Sequence, residues 1–346
     1  MAPLLTRALA ALGRLVGWPS RQGRFLHGEA SSRRGRVALA PFVASRRQYL
    51  LYVPRGYTRW RKSPLIVLCH GCQQTPEDFA QGSRIAAFAD ARRALVLLPR
   101  QRANANAWCC WNWFDPATAA GDGEAAIVEA MTQKIASRYS VDARRITAAG
   151  MSAGGGLAAI LGLRHANVFR AVVAHSGIAC GAAGTPLAAR RVLAEGPLDD
   201  VAAIGRAAPD RGRRVPLLVI QGLADGVVAP RNAKALVAQF LARAGIDADD
   251  DRLPPAAVDR HVDAPGHAMR VRDWRAGGGL VARLVEIEGL GHAWSGGDAT
   301  LRFNDADAPD ALAIIDDFLA EVAPGRGAIR ATMRLWRGEE RWRSAA

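Results

Sequence analysis

The sequence predicts an α/β fold, a mostly parallel twisted sheet with helices on both faces. Three observations carry that prediction. Short apolar runs, of which residues 65–69 (Leu-Ile-Val-Leu-Cys) are the clearest, read as strands buried on both sides. These runs alternate with stretches of helical pattern, and strands alternating with helices build parallel sheets. Ser152, Asp225 and His292 each stand just after a predicted strand, and ligands bind such sheets at the carboxyl ends of the strands.

The elements follow in chain order. Residues 1–46 form an Arg-rich extension that precedes the folded domain. Residues 49–53 (Tyr-Leu-Leu-Tyr-Val) read as a first strand, closed by Pro54 and Gly56. After the strand at 65–69 comes a loop, His70-Gly71-Cys72-Gln73-Gln74, and then a helix from Thr75-Pro76-Glu77-Asp78 to about Arg92. A strand at 94–98 stops at Pro99, and residues 99–120 read as an irregular loop containing Trp108, Cys109, Cys110, Trp111, Trp113 and Phe114. A helix spans 123–139. The run 146–150 is a strand that ends in Gly150-Met151-Ser152-Ala153-Gly154 and continues as a helix. A short strand at 171–174 ends in His175-Ser176-Gly177. Residues 178–213 are weakly patterned and are expected to cap the site. A strand at 216–221 leads to Asp225, a helix covers 232–244, and 246–266 reads as a surface loop rich in Asp, Pro and Ala. Residues 268–274 and 280–286 read as a strand pair, followed by the loop of His292 and a last helix over 309–322. The domain is expected to run over 47–323, with a basic tail at 324–346.

Composition limits the function. The formal net charge of +14 is concentrated at the ends: residues 1–47 hold nine Arg and one Glu, and residues 321–346 hold six Arg and three Glu. The body is close to balanced, so solvated basic tails are expected rather than a nucleic-acid site. No apolar run approaches the ~18 to 20 residues of a membrane span. Residues 4–16 are interrupted by Arg7 and Arg14, which denies them the unbroken apolar core of a secretory signal. The five cysteines are too few for a disulfide scaffold, and Cys69-His70-Gly71-Cys72 has no second pair with zinc spacing.

Gly-x-Ser-x-Gly between a strand and a helix has a chemical reason. A serine hydroxyl attacks well only when it is presented next to a base, and a sharp strand-to-helix turn lifts it to the sheet edge. Gly150 and Gly154 leave room for backbone that must pass close to the turn. The chain order Ser152, Asp225, His292 is that of the α/β-hydrolase arrangement. His292, in a glycine-flanked loop, is the expected base and Asp225 the expected acid, favoured over Asp298, Asp305 and Asp307 by its place after a strand. Among the rival histidines, His70 is read as shaping the oxyanion loop and His175 as a hydrogen-bonded buried residue. The oxyanion donors are expected to be the backbone N–H groups of Ala153 and Cys72.

His70-Gly71-Cys72-Gln73-Gln74, Asn104-Ala105-Asn106, Cys110-Trp111-Asn112-Trp113-Phe114, Gly150-Met151-Ser152-Ala153-Gly154-Gly155, His175-Ser176-Gly177 and Gly291-His292-Ala293-Trp294-Ser295-Gly296-Gly297 together resemble the polyhydroxybutyrate depolymerase family of esterases. That family is related to feruloyl and acetylxylan esterases. The resemblance covers about residues 45–320. It implies an α/β-hydrolase domain with Ser152, Asp225 and His292 as nucleophile, acid and base, and ester hydrolysis without metal or organic cofactor. The implied substrates are hydroxyalkanoate oligomers or small esters, with feruloyl or acetylxylan esters and acyl transfer as alternatives. A non-catalytic binding protein on a hydrolase fold is the alternative outside enzymes. An extracellular or periplasmic location is implied by the resemblance, with the cytoplasm as the other reading.

Trp111, Trp113 and Trp294 are expected to line the substrate pocket, with core packing as the alternative for each. Cys72 and Cys110 both sit in site-forming loops, where a disulfide and two buried free thiols are both open. The sequence leaves the oligomeric state undetermined.

Overall fold

The computed structural model describes residues 22–32, 45–210, 212–249, 252–263 and 266–323. The tail expected at 324–346 and most of the N-terminal extension lie outside these residues.

A ten-stranded sheet organises the chain, in the order β1-β2-β4-β3-β5-β6-β7-β10-β9-β8. Its centre is parallel: β4 (Leu95–Pro99), β3 (Ser63–Cys69), β5 (Val141–Met151), β6 (Ala171–His175), β7 (Leu217–Gly222) and β10 (Gly279–Ile287). Two antiparallel strands extend each side. These are β2 (Ser45–Val53) and β1 (Arg24–Ser32) on one flank, and β9 (Met269–Ala276) and β8 (Val258–Val262) on the other.

The period-2 alternation of the strands separates two cores. Leu65 and Val67 of β3, with Leu217 and Val219 of β7, face one side. Ile66 and Leu68, with Leu218 and Ile220, face the other. On the first side pack α4 (Gly123–Arg138), α5 (Ala153–Arg164) and α8 (Arg231–Arg243). On the second pack α1 (Pro76–Gly82), α2 (Ile85–Arg92) and α9 (Ala311–Val322), through Phe79, Ile85, Ala89, Ile314, Ile315 and Phe318. Both faces of the central strands are therefore buried, which is why those strands read as unbroken apolar runs.

The structure departs from the sequence reading in four places. Residues 24–32, read as part of a separate extension, form β1 and pair with β2 along nine residues, burying Ala30. Its exposed, polar-rich face carries no strong period, so nothing short of the pairing partner identifies it. The helix expected over 75–92 is two. Thr75 and Asp78 form a capping box that starts α1, but the Gly82 carbonyl accepts the Asp298 N–H, Ser83 Oγ donates to the Phe79 carbonyl, and Arg84 turns left-handed at φ 56°. The loop expected over 246–266 contains β8, an edge strand held by a two-pronged Arg270–Asp259 pair at 2.7 and 2.8 Å. The irregular loop at 99–120 holds one short helix, α3 (Pro116–Ala119).

The segment expected to cap the site forms α6 (Pro186–Glu195) and α7 (Val201–Arg206). Two buried amides of α8 anchor it: Gln239 exchanges bonds with the backbone of Cys180 and donates to the Val201 carbonyl, and Asn232 donates to the Val192 carbonyl. The Ala229 N–H donates to the Leu193 carbonyl and ties α6 to the loop after β7.

Candidate active site

Ser152 follows β5 and caps the start of α5 with φ 56° and ψ −124°. A non-glycine residue adopts this conformation only when its surroundings enforce it. Packing does so here. A Cβ on Gly150 would lie 2.3 Å from the Gly154 carbonyl oxygen, and one on Gly154 would lie 2.1 Å from that of Cys69. The Ser152 N–H donates to the His175 carbonyl on the next strand, and the Ser152 carbonyl accepts from Gly156. Ser152 is only 6 % exposed, so its hydroxyl lies at the floor of the site and not at an open turn. The Ala153 N–H is the first of α5, among the helix-start groups without an intrahelical acceptor. Gly71 passes close to the nucleophile turn: a Cβ on it would be 3.5 Å from the Ser152 Cβ.

Asp225 lies after β7, its side chain fully buried. Oδ1 accepts from the N–H groups of Val227 and Val228 at 2.9 and 2.8 Å, and Oδ2 accepts from His292 Nδ1 at 2.8 Å and from Gln221 Nε2 at 3.4 Å. Burial pushes this carboxyl upward, but the His292 bond and the two backbone donors outweigh it and hold the group below its ordinary value. An ionised Asp225 fixes the Nδ1–H tautomer of His292 and leaves Nε2 to face the site. Ser152 and His292 make no hydrogen bond to each other among the described residues.

His175 connects the parts. It ends β6, between the strands of Ser152 and Asp225, and its Nε2 accepts the Ser295 N–H, three residues beyond His292. Its Nδ1–H therefore faces Ser176 Oγ at 3.3 Å. Burial, with the nearby His292, pushes its pKa down to about 3. His70 is built likewise: Nε2 accepts from the Gln101 N–H, Nδ1–H donates to the Gly71 carbonyl at 2.8 Å, and burial lowers its pKa to about 4. Both imidazoles are neutral struts that hold loop backbone in place.

Cys72 and Cys110 are joined by a disulfide, with Cα atoms 4.2 Å apart. The loop on the Cys110 side is stiffened by polar contacts. Asn106 bridges the Cys110 carbonyl, the Cys110 N–H and the Asn112 side chain. Glu124 accepts from Gln101 Nε2 and from the Asn112 N–H. The Gln73 N–H reaches the Trp108 carbonyl at 2.8 Å.

The aromatic expectation needs correcting. Trp111, Trp113 and Trp294 are 0, 3 and 1 % exposed and pack in the core, where they meet no substrate in this conformation. Trp294 stacks on His175 and meets Phe79 edge-on, Trp111 packs on His70, and Trp113 meets Phe114. Trp111 and Trp294 fill the space around the two buried imidazoles, and Trp113 packs against the start of α5 at Gly156. The exposed apolar side chains near the site are others: Trp108 at 62 %, and Leu223 and Val227, which flank Asp225 at a distance of two residues. The sequence reading missed these three. The signal for Leu223 and Val227 was their spacing about a residue already singled out. Among the described residues, no group of three or more His, Cys, Asp or Glu side chains is arranged to hold a metal ion.

A parallel sheet whose strand ends carry an elbow serine, an aspartate and a histidine in that order defines the α/β-hydrolase class. Within that class the chain belongs to the Esterase PHB depolymerase family, which it matches over residues 47–259. It is 28 % identical over 210 residues to poly(3-hydroxyalkanoate) depolymerase C of Paucimonas lemoignei, across 59 % of this chain and 50 % of that one. It is 30 % identical over 198 residues to feruloyl esterase B of Neurospora crassa, across 54 % of this chain and 67 % of that one. The match thus spans half the length of the depolymerase. An acetyl xylan esterase from Aspergillus awamori shares the fold with a TM-score of 0.60 at 15 % identity, over 77 % of this chain and 94 % of that one.

Proposed function

We propose that the protein hydrolyses carboxylic esters through an acyl-enzyme on Ser152, with hydroxyalkanoate oligomers or related small esters as substrates. The observation that carries this reading is the 2.8 Å Asp225–His292 pair on the same sheet edge as the strained Ser152 elbow. In this mechanism Ser152 Oγ attacks the ester carbonyl while His292 Nε2 takes its proton, and Asp225 stabilises the imidazolium. The N–H groups of Ala153 and Cys72 receive the oxyanion. The imidazolium then gives its proton to the departing alcohol. Water, activated by the same nitrogen, attacks the acyl-enzyme and releases the acid. Trp108, Leu223 and Val227 offer apolar contact to the acyl chain at the rim. The disulfide supports an extracellular or periplasmic location, because such bonds persist in oxidising compartments.

The test has two parts. A serine-directed phosphonate should label Ser152, and Ser152→Ala should remain folded while losing roughly 10⁴ to 10⁶ in kcat. A panel of p-nitrophenyl, hydroxybutyrate-oligomer, feruloyl and acetylated-xylan esters then ranks the substrates. Residual activity above trace level in pure Ser152→Ala protein would overturn the assignment of the nucleophile.

A further inference from the structure

The edge of the sheet opposite Ser152 carries a concentration of positive charge that the reaction does not use. Arg61 and Lys62 precede β3, Arg92 and Arg93 end α2, and Arg145 lies early in β5. Together they line an open recess of about 50 Å³. Two carboxylates stand near it: Asp316 pairs with Arg92, and Asp142 pairs with Arg144 at 3.5 Å. Among the described residues no carboxylate pairs with Arg61, Lys62, Arg93 or Arg145. Burial, with Arg92 and Arg61 alongside, holds the half-buried Arg145 guanidinium below its ordinary value against the opposing pull of Asp142. The four cations without a carboxylate partner, converging on one recess beside the Arg92–Asp316 pair, repel one another, and a bound anion relieves that repulsion.

A second observation stands beside the first. Trp60 is 77 % exposed, with the Arg59 guanidinium 5.5 Å from the centre of its ring. It precedes Arg61 and Lys62 directly. A large indole costs free energy in water, and a Trp flanked by cations matches the chemistry of the layer where lipid headgroups meet acyl chains. Arg and Lys nearby meet the phosphates of that layer.

We propose that this recess and Trp60 dock the protein on an anionic phospholipid surface, with the recess taking a headgroup phosphate and Trp60 entering the headgroup layer. The seven residues of β3 separate this edge from the catalytic one by roughly 20 Å. Docking therefore leaves the Ser152 edge turned away from the surface and open to substrate. The proposal stands independently of the chemistry assigned to Ser152.

The test is co-sedimentation of the full chain with vesicles of phosphatidylcholine alone, or mixed about three to one with phosphatidylglycerol. Both terminal segments are rich in Arg, so variants carry the comparison. Arg61→Gln/Lys62→Gln should weaken binding to the mixed vesicles by about fivefold for each cation removed. Trp60→Ala, which removes no charge, should weaken it about tenfold. Arg190→Gln/Arg252→Gln, which removes equal charge elsewhere, should bind within about twofold of wild type. All variants should keep the kcat/KM of wild type on a soluble ester. The proposal falls if the control pair weakens binding as much as the recess pair, or if Trp60→Ala binds like wild type. It falls also if pyrophosphate binds the recess and strips vesicles from wild type and Trp60→Ala alike, which would make the ligand a soluble phosphate. Duplex DNA binding that depends equally on Arg61, Lys62 and Trp60 would overturn it in favour of a nucleic acid.

Discussion

Trp294 and Trp108 show how differently one residue type acts in one site. Trp294 fills the space between His175 and Phe79 and is 1 % exposed, whereas Trp108 stands 62 % exposed on the loop bound to Gln73. Trp294→Ala should cost ~3 to 5 kcal/mol of stability by cavity formation. It should also release the His175 strut that holds Ser295. Trp108→Ala should leave stability almost unchanged and raise KM for long acyl esters more than for acetate, because it removes apolar contact from the rim. Urea denaturation and a chain-length series of esters separate the two. A Trp108 variant with a normal KM across the series would remove it from the substrate surface.

At the scale of elements, the disulfide links the loop after β3 to the loop after β4. The Cys72 N–H is one of the two proposed oxyanion donors, so loosening its loop should reduce kcat by up to ~10² to 10³ and change KM modestly. A reductant and Cys110→Ser should both show this, and Cys180→Ser should not. Mass spectrometry of unreduced peptides reports whether the pair is bridged in the protein as made. The edge strand β1 leads to the opposite conclusion from the one its sequence invites. Read as extension, residues 1–40 are dispensable. In the fold, a deletion through residue 32 removes nine paired residues and exposes the edge of β2. Such a deletion should lower Tm by about 4 to 8 °C, equivalent to ~2 kcal/mol, and promote aggregation. An unchanged Tm would show that β2 is a sufficient edge on its own.

The whole molecule should be sensitive to acid for a reason built into its core. His70 and His175 are buried and neutral, with pKa values pushed down to about 4 and about 3. The unfolded chain takes up their protons below the ordinary histidine value near 6.5, while the folded chain refuses them. Their contribution is therefore fully present above about pH 6.5 and is lost as pH falls toward 4. The depressed Asp225 carboxyl acts in the same direction at lower pH. Each histidine adds ~1.4 kcal/mol per pH unit in that window, so the urea midpoint should fall steeply between pH 6.5 and pH 4. His175→Asn should roughly halve the slope, whatever it does to the midpoint itself. A flat profile would mean that one or both imidazoles are charged in the folded protein.

The residues that form the sheet centre could be read directly. Residues 65–69 and 217–220 are apolar at every step because helices cover both faces, so the central strands and the order of Ser152, Asp225 and His292 along them were legible. The edges were not. β1 and β8 each have a solvent-facing side and depend on a partner strand for their hydrogen bonds, and that partner is a long-range fact. The break after Gly82 was equally hidden, since a loop more than 200 residues later supplies the Asp298 N–H that captures its carbonyl. The same holds for the tryptophans: their motif placed them near the site, but only packing decided which faces they turn to water. Sequence by itself determined the central strands and the order in which Ser152, Asp225 and His292 follow them. Tertiary structure decided burial, and with it which aromatic rings brace the site and which stand at its rim, because exposure is set by neighbours that local pattern does not contain.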